Sequence, residues 1–296
     1  VRFCPMIFHS LSEFLTTGLR TMRRGPFCLI FVEDDVEIDS TIARALNQGF
    51  ARVLVFAPQE WPGYPPQAGV PRDQVCHIIA HPATPGVAVA AVNALMDAVA
   101  GQWMCCLFNA EYLFFPFSDT RCIADFIDFQ ENERRGAVFT TVVDLYAPDL
   151  HAAPNGVDLG AAYFDRAAYF GHQRFDQSGT PLERQIDLYG GLRWRFEDFV
   201  PFEQRRIDRI AVFKAQRGLR LRPDFTLSDP ERNTFQCKWH HSATAAIGSF
   251  RAAKALRSLP DARVQVSSFV WPQSEMFDWR AQQLLDHGII EPGQWF

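Results

Sequence analysis

The sequence predicts an α/β fold: a mostly parallel sheet flanked by helices on both faces, followed by an irregular, helix-rich C-terminal part. Three observations predict it. Short apolar runs, among them FCLIFV at 27–32 and WMCCLF at 103–108, have the length and composition of strands covered on two sides. Between them lie stretches of helical periodicity, and alternating strand and helix calls for parallel neighbours joined by crossovers. The chain has 296 residues, 48% hydrophobic and 14% aromatic, so it can bury a large core and is not disordered in the main.

The elements follow in order. The run 27–32 is the first strand and ends in Glu33, Asp34 and Asp35. Asp39 suits the N-cap of a helix that carries Ile42, Ala45 and Leu46 on one face and stops at Gly49. Residues 52–56 form the second strand and, after a Pro- and Gly-rich loop at 58–71, residues 75–80 the third. Thr84 and Pro85 have N-cap and first-turn chemistry for a helix reaching Gly101. Residues 103–108 are the fourth strand; a helix over 120–135 and a strand over 137–145 complete the βαβαβ pattern. Beyond Asp149 the pattern weakens. It predicts a helix at 198–209, a strand-like LRLRPDF at 219–225, the tract CKWHHS at 237–242, a helix at 242–259 and a last helix after Ser274 that ends near Gly288. Residues 6–22 read as an amphipathic helix ending near Arg23 and Arg24, suited to peripheral membrane contact.

Composition removes some classes of function. A net charge of -5 argues against general affinity for nucleic acid. Arg205, Arg206, Arg209, Lys214, Arg217, Arg220 and Arg222 cluster in sequence, which fits a local phosphate contact or a solvated helix face. Seven cysteines without C-x-x-C spacing read as reduced core thiols of a cytoplasmic protein. The N-terminus lacks a secretory-signal pattern, and the most apolar stretch, 87–117, is interrupted by Asn93, Asp97, Gln102, Asn109 and Glu111, so no membrane span is expected.

Asn109 and Glu111 stand in the aromatic stretch WMCCLFNAEYLFFPF. A carboxylate there costs several kcal/mol unless something holds it, so Glu111 is expected at a strand end, bound to a metal, a cation or a ligand. Both acidic groups, Glu33 to Asp35 and Asn109 to Glu111, fall after strands, where parallel sheets bind ligands. Acids ahead of a helix also favour its dipole whatever the function, and Asp144, ending a buried strand, is a candidate partner for an arginine.

The string FVEDDVEIDSTIARAL resembles the opening of a response-regulator receiver domain, but the third strand, VCHIIAHP, lacks the phosphoacceptor aspartate. Trp103, Glu111, Tyr112 and Leu113 match the frame W-x5-(D-x-D)-E-[FY]-L with one residue fewer after the Trp, followed by FFPFSDTR, ENERRGA and TTVVDLYA, with GGLRWRF, RIAVFKA and KWHH further on. This ordered set, over roughly 27–257, resembles bacterial family 2-like glycosyltransferases of the GT-A nucleotide-diphosphosugar fold.

The resemblance implies a single GT-A-like domain over 1–296, with a nucleotide-binding half at 27–148 and an acceptor half at 149–296. It implies transfer of a sugar from a nucleotide-sugar donor to a carbohydrate or glycoconjugate acceptor, in surface polysaccharide or glycoconjugate synthesis. The family's Asp-x-Asp motif holds a divalent cation on the donor diphosphate. Here Phe108 and Ala110 stand at the two aspartate positions, and a shift by one gives Asn109-Ala110-Glu111. Three consequences compete. Glu111 and Asn109 hold Mn²⁺ or Mg²⁺ with help from His240 or His241; or Arg121, Arg193, Arg195 and Lys238 neutralise the diphosphate without metal; or the protein is a catalytically silent binder of nucleotide-sugar or carbohydrate. Glu33, Asp34 and Asp35 are placed to meet the nucleoside, and Glu183, Glu197 and Asp198 are the candidate bases for the acceptor hydroxyl.

Overall fold

The computed structural model describes residues 6–19, 25–61, 63, 74–261 and 265–295. Its strands are β1 (Met6–Phe8), β2 (Phe27–Phe31), β3 (Arg52–Ala57), β4 (Val75–Ile79), β5 (Trp103–Phe108), β6 (Glu111–Phe114), β7 (Ala137–Tyr146), β8 (Tyr163–Asp165), β9 (Phe170–Phe175), β10 (Pro181–Tyr189), β11 (Asp208–Lys214), β12 (Ala245–Ser249) and β13 (Ser274–Met276). The α-helices are α1 (Leu11–Glu13), α2 (Ile38–Asn47), α3 (Val87–Ala98), α4 (Ile123–Asn132), α5 (Gly191–Arg195), α6 (Arg251–Arg257) and α7 (Ala281–Asp286). The chain forms two compact units. One comprises Val1–Tyr112, Arg121–Val138 and Ile210–Asn233; the other Leu113–Thr120, Phe139–Arg209 and Thr234–Phe296.

In the first unit β1, β4, β3, β2 and β5 lie side by side, each parallel to its neighbour, and β11 adds antiparallel to β5. Every residue of β2, β3 and β5 is buried, as a sheet covered on both faces requires. The buried residues of α2, Ile38, Thr41, Ile42 and Ala45, fall at helical spacing on one stripe. The strand order is what places a site. From β2 the chain steps outward through β3 and β4, then returns to the other side of β2 as β5, so the order reverses between β2 and β5. Cys28, Cys76, Cys105 and Cys106 are buried free thiols on these strands.

The helix starts differ from the sequence expectation. Glu37, in a left-handed conformation (φ 56°), precedes α2 and moves Asp39 into the first turn. Thr84 belongs to a turn closed on the His81 carbonyl, and α3 begins after Gly86 (φ 84°). Of the helix expected at 6–22, Met6–Phe8 is a strand paired with β4, 11–19 is helical, and 20–22 lie outside the described residues.

In the second unit β7 pairs with β12 in parallel and with β8 in antiparallel, β13 extends β8, and β9 with β10 forms a separate antiparallel hairpin. The expected helix at 198–209 is absent. Pro201 brings no N–H and pushes Val200 to extended geometry (φ -108°, ψ 119°), leaving two short 3₁₀ turns before β11. The helix expected from Ser242 is a strand first: Ala245–Ser249 is buried beside β7, and burial in the sheet overrides the helical propensity of its alanines. The segment after Ser274 starts as β13 before α7, with Gly288 (φ 65°) just past the helix as expected. LRLRPDF makes a single bridge, Leu221 to Leu227. Among the described residues no helix is long and apolar enough to cross a membrane.

Candidate functional site

The carboxyl ends of β2 and β5 lie together, with Phe31 and Phe108 as register partners and the Asn109 N–H donating to the Phe31 carbonyl at 3.1 Å. Asn109 is fully buried, and its amide spans the place where the strand order reverses. Oδ1 accepts from the Glu33 N–H at 2.9 Å. Nδ2 donates to the Val36 carbonyl at 2.8 Å and to Asp34, at Oδ1 (2.6 Å) and at the carbonyl (3.2 Å). The loop after β2 is thereby latched to the end of β5. Asp34 and Asp35 remain exposed and Glu33 half-buried.

The next residues fasten the same turn to α2. Ala110 is left-handed (φ 61°), and its N–H donates to Thr41 Oγ1 at 2.9 Å. Thr41 in turn donates to the Glu37 carbonyl at 2.7 Å. The Tyr112 hydroxyl meets Ser40 Oγ at 2.8 Å, and Ser40 donates to Glu37 Oε2 at 2.6 Å. Burial holds the Tyr112 hydroxyl well above the ordinary phenol range, so it stays protonated. Glu111 points back along its own chain: it is fully buried, and Oε2 accepts the Phe108 N–H at 2.9 Å. A carboxylate so turned does not fit a cation that must stay open to a diphosphate, and the Asn109 oxygen already serves Glu33. No group of three or more His, Cys, Asp or Glu suited to a metal occurs among the described residues.

The second unit holds two of the predicted arginines, Arg193 and Arg195, each spent on a buried carboxylate. Arg193 Nε lies 3.2 Å from Asp144 Oδ1, and its backbone N–H donates to Asp144 Oδ2. Burial raises the Asp144 carboxyl above its usual range despite this partner. Arg195 pairs with Asp165 at 3.0 Å, stacks over Trp271 at 4.9 Å, and shares Asp165 with Trp271 Nε1 and the Tyr146 hydroxyl. The GG of GGLRWRF has a steric reason. Gly191 adopts φ +63°, and a Cβ there would stand 2.9 Å from Asp144 Oδ2.

The remaining predicted residues are scattered over the two units. Arg121 is half-buried ahead of α4 in the first. In the second, Lys238 is exposed, 3.9 Å from the exposed Glu183 on β10. Glu197 and Asp198 share a 3₁₀ turn, with Glu197 paired to Arg205 at 3.2 Å. His241 bridges to Gln236, and the expected N-cap Ser242 instead accepts the Cys237 N–H through Oγ at 3.1 Å. No protein-family model matches the chain, and no curated protein does. Sequence reasoning missed Ser40 and Thr41, which tie α2 to the strand turn; two hydroxyls in a first helical turn were the available signal. It also missed Asp165 and Trp271, whose partners are distant in sequence.

Proposed function

We propose that this chain is a GT-A-like glycosyltransferase relative that binds a nucleotide-sugar at the carboxyl edge of the first unit's sheet. One observation carries the reading. The strand order reverses between β2 and β5, the usual ligand crevice of an open α/β sheet, and the acidic loop after β2 is latched there by Asn109. Asp35 and Asp34, exposed on that loop, meet the ribose hydroxyls or the base of the nucleotide, Asp34 while its Oδ1 also accepts from Asn109 Nδ2 and the Val36 N–H. Asn109 holds the loop in position and does not itself face the ligand.

No step runs through a divalent cation, since Glu111 and Asn109 are both engaged inside the fold. Arg193 and Arg195 carry no free charge to the donor, because Asp144 and Asp165 take it. In the first unit Arg121 stays a candidate cation for the diphosphate. The inward Glu111 favours a second reading on the same fold, a silent binder that holds nucleotide-sugar without turning it over. A cytoplasmic location belongs to the proposal and is supported by six described cysteines that are all free thiols.

The test is a thermal-shift screen against nucleoside diphosphates and their sugars, with Mn²⁺, with Mg²⁺ and with chelator, paired with an assay for released nucleoside diphosphate. A rise in midpoint by one nucleotide, retained in chelator and lost in Asp34→Ala, supports the site. Release of diphosphate on adding acceptor selects the transferase; binding without release selects the silent binder. A folded protein that no nucleotide stabilises would sink both.

A further inference from the structure

A second surface, within the second unit, has the chemistry of a sugar-binding platform. Phe170 and Tyr189 are register partners at the base of the β9/β10 hairpin, and their rings stack at 5.5 Å with an 18° interplanar angle. Trp194 of α5 stands edge-on to Phe170 at 4.5 Å, and His172 lies edge-on to Phe170 and Tyr189 at 5.4 and 5.8 Å. The cluster is not core. Trp194 is 40% exposed, His172 is exposed, and both Phe170 and Tyr189 keep part of their surface in solvent. The Tyr189 hydroxyl, the His172 imidazole and the Trp194 Nε1 make no hydrogen bond among the described residues.

The base of the hairpin is rigid. Asp187, opposite His172, is held by Arg174 at 2.7 Å and Arg206 at 3.1 Å. Both arginines also grip the buried Asp208, at 2.6 and 2.7 Å, and Asp208 accepts the Leu188 N–H. The rings are therefore presented on a fixed strand pair, as a preorganised site requires.

We propose that this platform binds a pyranose ring of the acceptor, a carbohydrate. The proposal rests on the transferase reading for its biological role, though not for the binding itself. Aromatic faces carry negative π density that attracts the slightly positive C–H face of a sugar, and its hydroxyls pair with the free donors and acceptors at the rim. The same polar atoms argue against a lipid or an apolar protein face, which would bury three hydrogen-bonding groups with nothing to satisfy them.

The experiment is saturation-transfer NMR of the full chain with methyl glycosides of glucose, galactose, mannose and N-acetylglucosamine, followed by titration of the best probe. Wild type is expected to transfer saturation to at least one glycoside. Trp194→Ala should weaken that binding about tenfold or more. Trp194→Phe should recover part of it, and Tyr189→Phe, which keeps the ring, should lose severalfold. Folding of each variant is checked by its unfolding midpoint. Absence of transfer from every glycoside, or equal affinity in Trp194→Ala, overturns the proposal. So does a concentration-dependent dimer that Trp194→Ala abolishes, which would make a second copy the occupant. Nucleotide stabilisation, read separately, keeps the two ideas apart: glycoside binding without nucleotide binding removes the transferase reading only, and the reverse removes only the platform.

Discussion

The two units place their charge in opposite ways. In the first, a neutral amide, Asn109, sits at the buried centre beside the inward Glu111, and it latches a loop whose acids, Asp34 and Asp35, are exposed. In the second, the charges are at the centre, Asp144 and Asp165 against Arg193 and Arg195, and the face open to solvent nearby in sequence is aromatic. A buried amide can latch a loop while the loop's acids stay at the surface. Buried ion pairs consume their charges, because an unpaired charge in the interior is too costly to keep in reserve. Residue type alone does not separate these cases: Arg193 and Asp34 both read as ligand contacts in the sequence, and burial distinguishes them.

That contrast can be broken from the second unit with the largest effect. Arg195→Met leaves Asp165 buried with only neutral donors, and should cost about 3–5 kcal/mol in urea unfolding without changing nucleotide stabilisation per molecule folded. Gly191→Ala should cost about 1–3 kcal/mol, from the left-handed backbone and the approach to Asp144, and a midpoint equal to wild type would deny the close packing.

In the first unit Asn109→Ala removes the partners of Glu33 N–H and the Val36 carbonyl and should cost about 1–3 kcal/mol. Asn109→Asp is more informative, since it turns a carboxylate toward the acceptors Asp34 Oδ1 and the Val36 carbonyl. Its stability should improve on acidification, which protonates the new group and restores one donor; a flat pH profile relative to wild type would remove the latch.

The smallest effect concerns Glu131. Its carboxylate accepts from Lys214 Nζ and Trp103 Nε1, both at 2.8 Å, and these bonds hold its pKa below the usual value. A depressed carboxylate stabilises the fold above its unfolded pKa and loses that contribution as pH falls through the folded one. Between about pH 5 and 3, Glu131→Gln should therefore show a shallower loss of stability than wild type, by a small margin because the side chain is partly exposed.

The sequence made the first unit legible because its strands are buried on both faces, and FCLIF, RVLVFA and WMCCLF announce that without reference to partners. The position of the acidic loop at a strand end was equally readable. The strand order was not, since four similar apolar runs pair in more than one order. The second unit was opaque for local reasons: Pro201 divides an apparently helical segment, and Ala245, Ala246 and Ile247 have a strand's burial with a helix's composition. Glu111 was read as a ligand group because a carboxylate in an apolar run suggests one; the fold turns it inward, where it accepts the Phe108 N–H.

The most direct measurement is isothermal titration of the folded protein with nucleoside diphosphates in chelator, comparing wild type with Asp34→Asn and with Asn109→Ala. One nucleotide should bind wild type; Asp34→Asn should weaken that binding about tenfold by removing the charge while keeping an oxygen for Asn109 Nδ2, and Asn109→Ala should weaken it through the loop it no longer holds. Binding that is unchanged in both variants, or no binding of any nucleotide to folded wild type, would contradict the proposed site.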